Sequence, residues 1–170
     1  KEYGLKADLR KVSAGQTFRL GKHFSIEALR ITHSIADSMC LSIKTPAGRI
    51  FHTGDFKIDY TPVDGDPIDF ARFAQIGAEG VLLMMADSTN VLRPGFTQSE
   101  RVVGHTLEGI FRDSKNRIII ATFSSNVHRI QKIIDLALQC NRKVAVSGRS
   151  MVNVVDLAKE LGYIKIPQHM

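Results

Sequence analysis

The sequence has no tryptophan, only two cysteines and no long apolar run. No hydrophobic stretch approaches the roughly 20 residues of a membrane-spanning helix, so we expect no membrane partner. Cys40 and Cys140 are far apart, and neither belongs to a CxxC pair or a Cys/His cluster. Two free thiols in a reducing cytoplasm therefore explain them better than a disulfide. The opening residues are charged without an apolar core behind them, which does not match a secretory signal peptide.

Two common ligand-binding motifs are also missing. The six histidines include no HxH and no HExxH pair, so no histidine pair in this chain predicts a zinc site. The sequence contains no GxGxxG, so an α/β layout would not by itself imply a dinucleotide. Any metal site must therefore be assembled from residues that are distant in sequence.

What is present describes an ordinary globular chain with a modest basic excess. The 170 residues are 44% hydrophobic and 24% charged, which is enough to bury a core and too apolar for a disordered chain. The formal net charge of +6 favours a polyanionic partner such as nucleic acid without establishing one. Composition alone therefore leaves the function open.

The first half of the chain is rich in short β-type runs. We expect strands at 17–20, 25–31, 41–45, 49–53 and 81–86. The third and fourth form a predicted hairpin across Pro46-Ala47-Gly48. The continuous apolar run at 81–86 predicts a strand buried on both faces. A short helix at 68–76 is expected to end at Gly77.

The second half alternates helical and strand patterns. Thr97-x-x-Glu100 fits a capping box that would open a helix to about residue 112. Further helices are expected at 126–140 and 152–161, and buried strands at 117–122 and 143–147. This alternation predicts parallel strands with crossover helices, a Rossmann-like layout. We therefore divide the chain into two architectures, residues 1–92 and 93–170.

Polar clusters follow three of the predicted strands, where functional residues of α/β proteins gather. They are 32–38 with His33, 52–57 with Asp55, and 87–90 with Asp87. An imidazole and a carboxylate can share a divalent ion such as Zn²⁺ or Mn²⁺, although two ligands do not make a site. A hydrogen-bonded structural histidine, a turn carboxylate and a helix cap explain the same residues equally simply.

Two turns in the second half suit an anion. Ser124-Ser125-Asn126 lies between a predicted strand and a helix, where backbone N–H groups favour a phosphate. Arg149 and Ser150 repeat the arrangement after the next strand. Ordinary N-capping explains the serines and the asparagine without a ligand, but two such turns on neighbouring strands would form one anion-binding edge.

These motifs together resemble the ribonuclease J family, which belongs to the β-CASP group of metallo-β-lactamase-fold nucleases. The resemblance covers nearly the whole chain in order, and it is carried by the three polar clusters and by three further stretches: 99–104, 121–126 and 148–151. It implies part of a metallo-β-lactamase αββα sandwich in residues 1–92 and part of a Rossmann-like β-CASP domain in 93–170.

The resemblance also implies roles for individual residues. His33 corresponds to a metal-binding histidine, Asp55 to an aspartate that bridges two metal ions, and Asp87 to an acidic residue beside that centre with a catalytic role. Residues 125–127 (Ser125, Asn126 and Val127) correspond to a segment that contacts RNA, and Ser124, Arg149 and Ser150 extend the same predicted substrate surface. The cofactor implied is a pair of Zn²⁺ ions, with Mn²⁺ or Mg²⁺ as alternatives.

The family's HxHxDH motif and its later β-CASP histidines are absent from this sequence. We therefore expect an internal segment of a longer enzyme that is inactive by itself. The resemblance implies that the complete enzyme is cytoplasmic and homodimeric. The implied activity is metal-dependent hydrolysis of single-stranded RNA, both 5′→3′ exonucleolytic and endonucleolytic, in rRNA maturation and mRNA decay. The alternatives are a non-catalytic RNA-binding or assembly module and a β-CASP nuclease acting on DNA.

Overall fold

A computed structural model describes residue 6, residues 8–63 and residues 65–167. The predicted domain ends at residues 1 and 170 lie outside the described residues. One five-stranded sheet and four helices are assigned in the described part, in this chain order: β1 Thr17–Leu20, β2 Phe24–Arg30, β3 Met39–Thr45, β4 Gly48–His52, α1 Phe70–Glu79, β5 Leu83–Met85, α2 Glu100–Asp113, α3 Val127–Gln139 and α4 Arg149–Glu160. None of the helices in this part is long and apolar enough to cross a membrane.

The sheet is a meander with one parallel strand added at its edge. β1 to β4 are neighbours in sequence order and pair antiparallel, and β5 joins β4 in parallel. The predicted β3–β4 hairpin is confirmed, with Thr45 opposite Gly48. The Thr45 hydroxyl donates to the Gly48 carbonyl at 2.8 Å and accepts from the Ala47 N–H at 3.2 Å. This side chain closes the turn that sets the register of the two strands.

Helix α1 packs on the sheet through a small core and a group of charges. The core contains Leu29, Cys40, Phe51 and Ile76. The predicted end of this helix at Gly77 was wrong, because α1 continues to Glu79 and Gly80 caps it with φ 91°. Glycine often ends a helix by adopting a positive φ, and here Gly80 does so while Gly77 stays within the helix.

The interpretation of 81–86 as a strand buried on both faces was also wrong. β5 covers only Leu83–Met85, and its three side chains are exposed by 48–62%. β5 is the last strand of the sheet and pairs on one side only, with β4. The apolar run therefore forms a strand as expected, but no described element covers its faces.

The second half is built on three helices. α2 and α3 share a core of Leu107, Phe111, Leu136 and Ala137. A second core joins α3 to α4 and contains Val127, Ile130, Ile134, Val155, Ala158 and Ile164. The chain thus has the expected mixed α/β fold class, with the sheet in the first part and helices dominating the second.

The strands predicted at 117–122 and 143–147 are not assigned, so these two predictions were wrong. Ile118, Ile120 and Val144 nevertheless pack against the α2–α3 core. Burial alternates along 117–122, as expected for a strand, but the inter-strand hydrogen bonds that define a sheet are not assigned there.

The limits of two helices also differ from the prediction. The cap of α2 is Ser99, whose hydroxyl accepts from the Arg101 N–H at 3.3 Å, and not Thr97. Helix α4 begins at Arg149 with Gly148 as its cap, three residues before the predicted start. The helical segments were therefore recognised correctly, and the errors lie in their first turns.

Candidate functional site

The three predicted site residues follow strands that end at the same edge of the sheet. β2 and β4 both run antiparallel to β3, so they point the same way, and β5 is parallel to β4. The carboxyl ends of these strands therefore meet, and they carry His33, Asp55 and Asp87 in the segments that follow. Two backbone hydrogen bonds join these segments, from the Lys57 N–H to the Thr32 carbonyl at 2.7 Å and from the Thr53 N–H to the Met85 carbonyl at 3.0 Å.

The surroundings of Asp87 show that the three segments converge. The Thr89 hydroxyl and N–H bind its carboxylate at 2.5 and 2.9 Å and hold the pKa of Asp87 below its usual value. Burial opposes this by raising the pKa of Asp87, but less than either Thr89 bond lowers it, and the backbone of Phe56 and the charge of His33 add smaller lowering effects. Asp87 therefore interacts with His33 and with the residue that follows Asp55, and it is an anion at neutral pH.

His33 is half-buried and is oriented by its own loop. Its Nδ1 accepts from the Ile35 N–H at 3.3 Å and lies 3.4 Å from the Ser34 hydroxyl. Nε2 is therefore the ring nitrogen left for a ligand. With Nδ1 as an acceptor, the proton of the neutral ring lies on Nε2, so metal binding at Nε2 requires the other tautomer. In that tautomer Nδ1 gives up the bond from the Ile35 N–H and donates to the Ser34 hydroxyl oxygen, as ligating histidines require.

Asp55 is exposed, and no described residue donates a hydrogen bond to its carboxylate. It follows Gly54, whose φ of 59° places the loop close to β3. A Cβ at this glycine would lie 2.9 Å from the Met39 carbonyl oxygen. The tight approach holds the start of the Asp55 loop against the sheet while the carboxylate points to solvent.

An imidazole beside two carboxylates suits a divalent metal ion. However, no group of three or more His, Cys, Asp or Glu side chains able to hold a metal occurs among the described residues. The donors present thus fit the chemistry of a metal site but do not complete one.

The predicted anion-binding turns also come together. The hydroxyls of Ser124 and Ser150 are 2.8 Å apart, so the turn before α3 touches the first turn of α4. Ser125 and Arg149 are exposed beside them. The other two predicted RNA contacts, Asn126 and Val127, are buried.

The side chains of Asn126 and Val127 are nearly inaccessible, with exposures of 4% and 8%. The Asn126 amide oxygen caps α3 by accepting from the Arg129 N–H at 3.2 Å. Val127 belongs to the α3–α4 core. Of this segment, only the serines and the backbone are therefore placed to meet a ligand.

Sequence patterns did not reveal an ion cluster that joins the two halves. The Lys57 ammonium lies 3.0 Å from the Gln98 carbonyl and 3.7 Å from the Glu100 carboxylate. Arg129 binds the same carboxylate through two nitrogens at 2.8 and 3.1 Å. Burial alone would raise the pKa of Glu100, but Arg129 and Lys57 outweigh it and keep the carboxyl ionised. Nothing in the sequence pairs these residues, since Glu100 could be recognised only as a residue of a helix start.

A cavity of about 320 Å³ lies beside this cluster. Its lining includes His33, Asp37 and Lys57 from the first half, and Glu100 and His128 from the second. The Tyr163 hydroxyl also donates to the Asp37 carboxylate across the same junction. The candidate metal ligand His33 therefore faces a cleft between the two halves.

Comparison with known proteins shows which proteins this chain is similar to. A family model described as the beta-CASP domain of ribonuclease J matches residues 115–170. A ribonuclease J of Synechocystis is 48% identical over 97% of this chain, and one of Thermus thermophilus is 43% identical over 100% of it. Over nearly its whole length the chain is similar to part of a ribonuclease J. A Helicobacter pylori ribonuclease J is 50% identical over 85% of the chain.

The chain spans only part of each of these ribonuclease J proteins, between 21% and 30% of their lengths. A crystal structure of an Enterococcus faecalis protein of unknown function covers 98% of the chain with a TM-score of 0.64 and 20% identity. The chain covers 38% of that protein, and the similarity supports the fold alone.

Proposed function

We propose that this chain is the part of a metal-dependent ribonuclease that carries one side of the metal centre and one side of the RNA path. The observation that supports this most is the convergence of Asp87, His33 and the Asp55 loop at one edge of the sheet. The proposed division is a metallo-β-lactamase part in residues 1–92 and a β-CASP part in 93–170. The ligands that His33 and Asp55 lack would come from the segments that the longer relatives possess.

In this proposal the residues act as follows. His33 Nε2 and the Asp55 carboxylate hold the metal, and Asp87 contributes negative charge beside them. When bound, a Zn²⁺ pair supplies a hydroxide nucleophile near neutral pH, and Mn²⁺ or Mg²⁺ are alternatives. Residues 124–127 and 149–150 lie where a ribose-phosphate chain can be held by hydroxyls, backbone N–H groups and a guanidinium.

The proposed substrate is single-stranded RNA, cut both from its 5′ end and internally during rRNA maturation and mRNA decay. We also propose a cytoplasmic homodimer. The net charge of +6 supports a polyanionic substrate.

The test is to change the two proposed ligands in the complete enzyme. We expect His33→Ala and Asp55→Ala each to abolish hydrolysis of a labelled single-stranded RNA and to leave RNA binding intact. His23→Ala, in the exposed β1–β2 turn, is the matched control and should retain activity. Normal turnover in either ligand variant would contradict the site.

One observation favours the second function, a non-catalytic RNA-binding or assembly module. The described residues contain no complete group of metal ligands. If this function is correct, the complete protein binds RNA with a strong salt dependence, needs no metal and cleaves nothing. Competition between RNA and DNA of the same sequence separates both functions from a DNA nuclease.

A further inference from the structure

Two buried threonines connect the three segments of the candidate site. Thr32 and Thr53 are only 8% and 6% exposed, and both belong to the small set of buried polar residues in the described part. Thr32 immediately precedes His33, and Thr53 lies two residues before Asp55. Both belong to the polar clusters 32–38 and 52–57, and neither corresponds to a predicted ligand.

Thr32 binds the segment that follows Asp55 by three hydrogen bonds. Its carbonyl accepts from the Lys57 N–H at 2.7 Å, and its hydroxyl donates to the Lys57 carbonyl. The same hydroxyl accepts from the Asp59 N–H at 3.2 Å. Because the hydroxyl uses both its donor and an acceptor position, its orientation is fixed. Thr32 therefore links the backbone beside His33 to the backbone two residues after Asp55.

Thr53 makes the corresponding link to the segment of Asp87. Its hydroxyl accepts from the Asp87 N–H at 2.9 Å and donates to the Gly54 carbonyl at 2.7 Å. Its own N–H donates to the Met85 carbonyl at 3.0 Å. The end of β5 and the turn before Asp55 are thus joined through one side chain.

We propose that Thr32 and Thr53 are positioning residues that set the spacing of His33, Asp55 and Asp87. The inference rests on the proposed function, since it concerns how the candidate ligands are held. The segments that carry these ligands extend beyond the ends of β2, β4 and β5, where the sheet no longer aligns them. The two threonine hydroxyls supply the alignment there, and a site built from three separate segments needs it to hold its geometry.

The proposal makes a different prediction from a purely structural role. Replacing either threonine by valine keeps the shape and removes the hydroxyl, so the Asp59 or Asp87 N–H loses its acceptor. A structural role predicts lower stability alone. A positioning role predicts weaker metal binding and a lower kcat, both restored by serine.

Thr45 provides a matched control. Its hydroxyl also accepts a backbone N–H and donates to a backbone carbonyl, at 3.2 and 2.8 Å. It is at the opposite end of β3 from Met39, roughly 20 Å away at about 3.3 Å per residue. Thr45→Val therefore removes the same kind of bonds without touching the candidate site.

The experiment compares Thr32→Val, Thr53→Val, both serine variants and Thr45→Val in the complete enzyme. Amide hydrogen exchange should speed up at Asp59 in the first variant and at Asp87 in the second. Titration with Mn²⁺, followed by electron paramagnetic resonance, should show about 10- to 100-fold weaker binding in both valine variants. kcat should fall by a similar factor with little change in KM. Thr45→Val should lower the melting temperature alone.

The outcomes separate the two proposals. If the valine variants bind Mn²⁺ and turn over RNA like Thr45→Val, the inference is overturned and the ribonuclease function stands. If the unchanged enzyme binds Mn²⁺ but cleaves no RNA, the proposed function fails. The Mn²⁺ affinities of the two valine variants, compared with that of Thr45→Val, then decide whether the threonines are positioning residues. If it binds no Mn²⁺, both fail. Should a valine variant not fold, Thr32→Ala or Thr53→Ala, which leave room for water, replace it with the same expected results.

Discussion

At the scale of single residues, the site depends on side chains and backbone angles that no motif displays. Gly54 has φ 59°, and a Cβ there would meet the Met39 carbonyl oxygen at 2.9 Å. Any other residue at position 54 would be strained by the positive φ, and its Cβ would also lie too close to the Met39 carbonyl oxygen. The polar cluster at 52–57 could be found in the sequence, and the register of the predicted β3–β4 hairpin, continued past His52, places Gly54 opposite Met39. The positive φ and the contact with the Met39 carbonyl oxygen could not be read from the pattern, because they depend on how the chain turns where β4 ends.

We expect Gly54→Ala to destabilise the chain by roughly 1–3 kcal/mol, because it combines left-handed strain with a clash against backbone. Urea denaturation followed by circular dichroism measures the change. Gly77→Ala is the control, since Gly77 lies within α1 and a Cβ there meets nothing within 4 Å. The free energy of unfolding of that variant should rise by about 0.5–1 kcal/mol. Equal effects of the two substitutions would refute the argument.

At the scale of elements, charged side chains decide how α1 sits on the sheet. Arg72 on α1 binds Glu27 of β2 through two nitrogens at 2.6 and 2.7 Å. Arg49, 7% exposed on β4, binds Glu79 near the end of the same helix. The periodicity of apolar residues predicted the helix, but the partners of its charges depend on which strands lie beneath it.

The Arg72–Glu27 pair predicts a loss of stability in acid. The hydrogen bond from Arg72 lowers the pKa of Glu27 below its ordinary value of about 4.5. Since the folded pKa is the lower one, this stabilisation is present above about pH 4.5 and disappears as the pH falls below it.

Glu27→Gln should therefore destabilise the chain by roughly 1–2 kcal/mol at pH 7. It should also make the free energy of unfolding depend less on pH in the acid range. Urea midpoints measured from pH 7 to pH 3 provide the test. Glu160→Gln, at the exposed end of α4, is the control and should follow the unchanged protein. An unchanged acid limb in Glu27→Gln would show that the pair does not contribute.

At the scale of the whole molecule, the two halves are joined by few side chains. Glu100 is the centre of this junction, because Lys57 approaches it from the first half and Arg129 from the second. This ion cluster therefore links the half that carries the candidate metal ligands to the half that carries the predicted RNA contacts. The Asp37–Tyr163 contact and the hydrogen bonds of Ser99 with Thr61 and of Arg101 with Pro62 also join the two halves.

We expect Glu100→Gln to destabilise the chain by about 3 kcal/mol, since it leaves two cations without their shared partner. It should also make unfolding less cooperative, visible as a smaller dependence of the unfolding free energy on urea. Glu108→Gln removes the Lys132 partner within the second half only and should leave cooperativity unchanged. A cooperative transition in Glu100→Gln would exclude this role.

The sequence by itself predicted most of the elements, because turns and periodicity are local, and its resemblance to a nuclease family pointed to the candidate site. The β3–β4 hairpin and α3 follow from turn residues and periodicity, and the clusters of His33, Asp55 and Asp87 stand directly after strands. Tertiary structure alone decided what these residues touch. In the folded chain β5 is exposed, and Asn126 and Val127 are buried. The hydroxyls of Thr32 and Thr53 lie between the segments of the site. A hydrogen bond across 25 or 34 residues depends on strand order and register, which a local pattern does not contain.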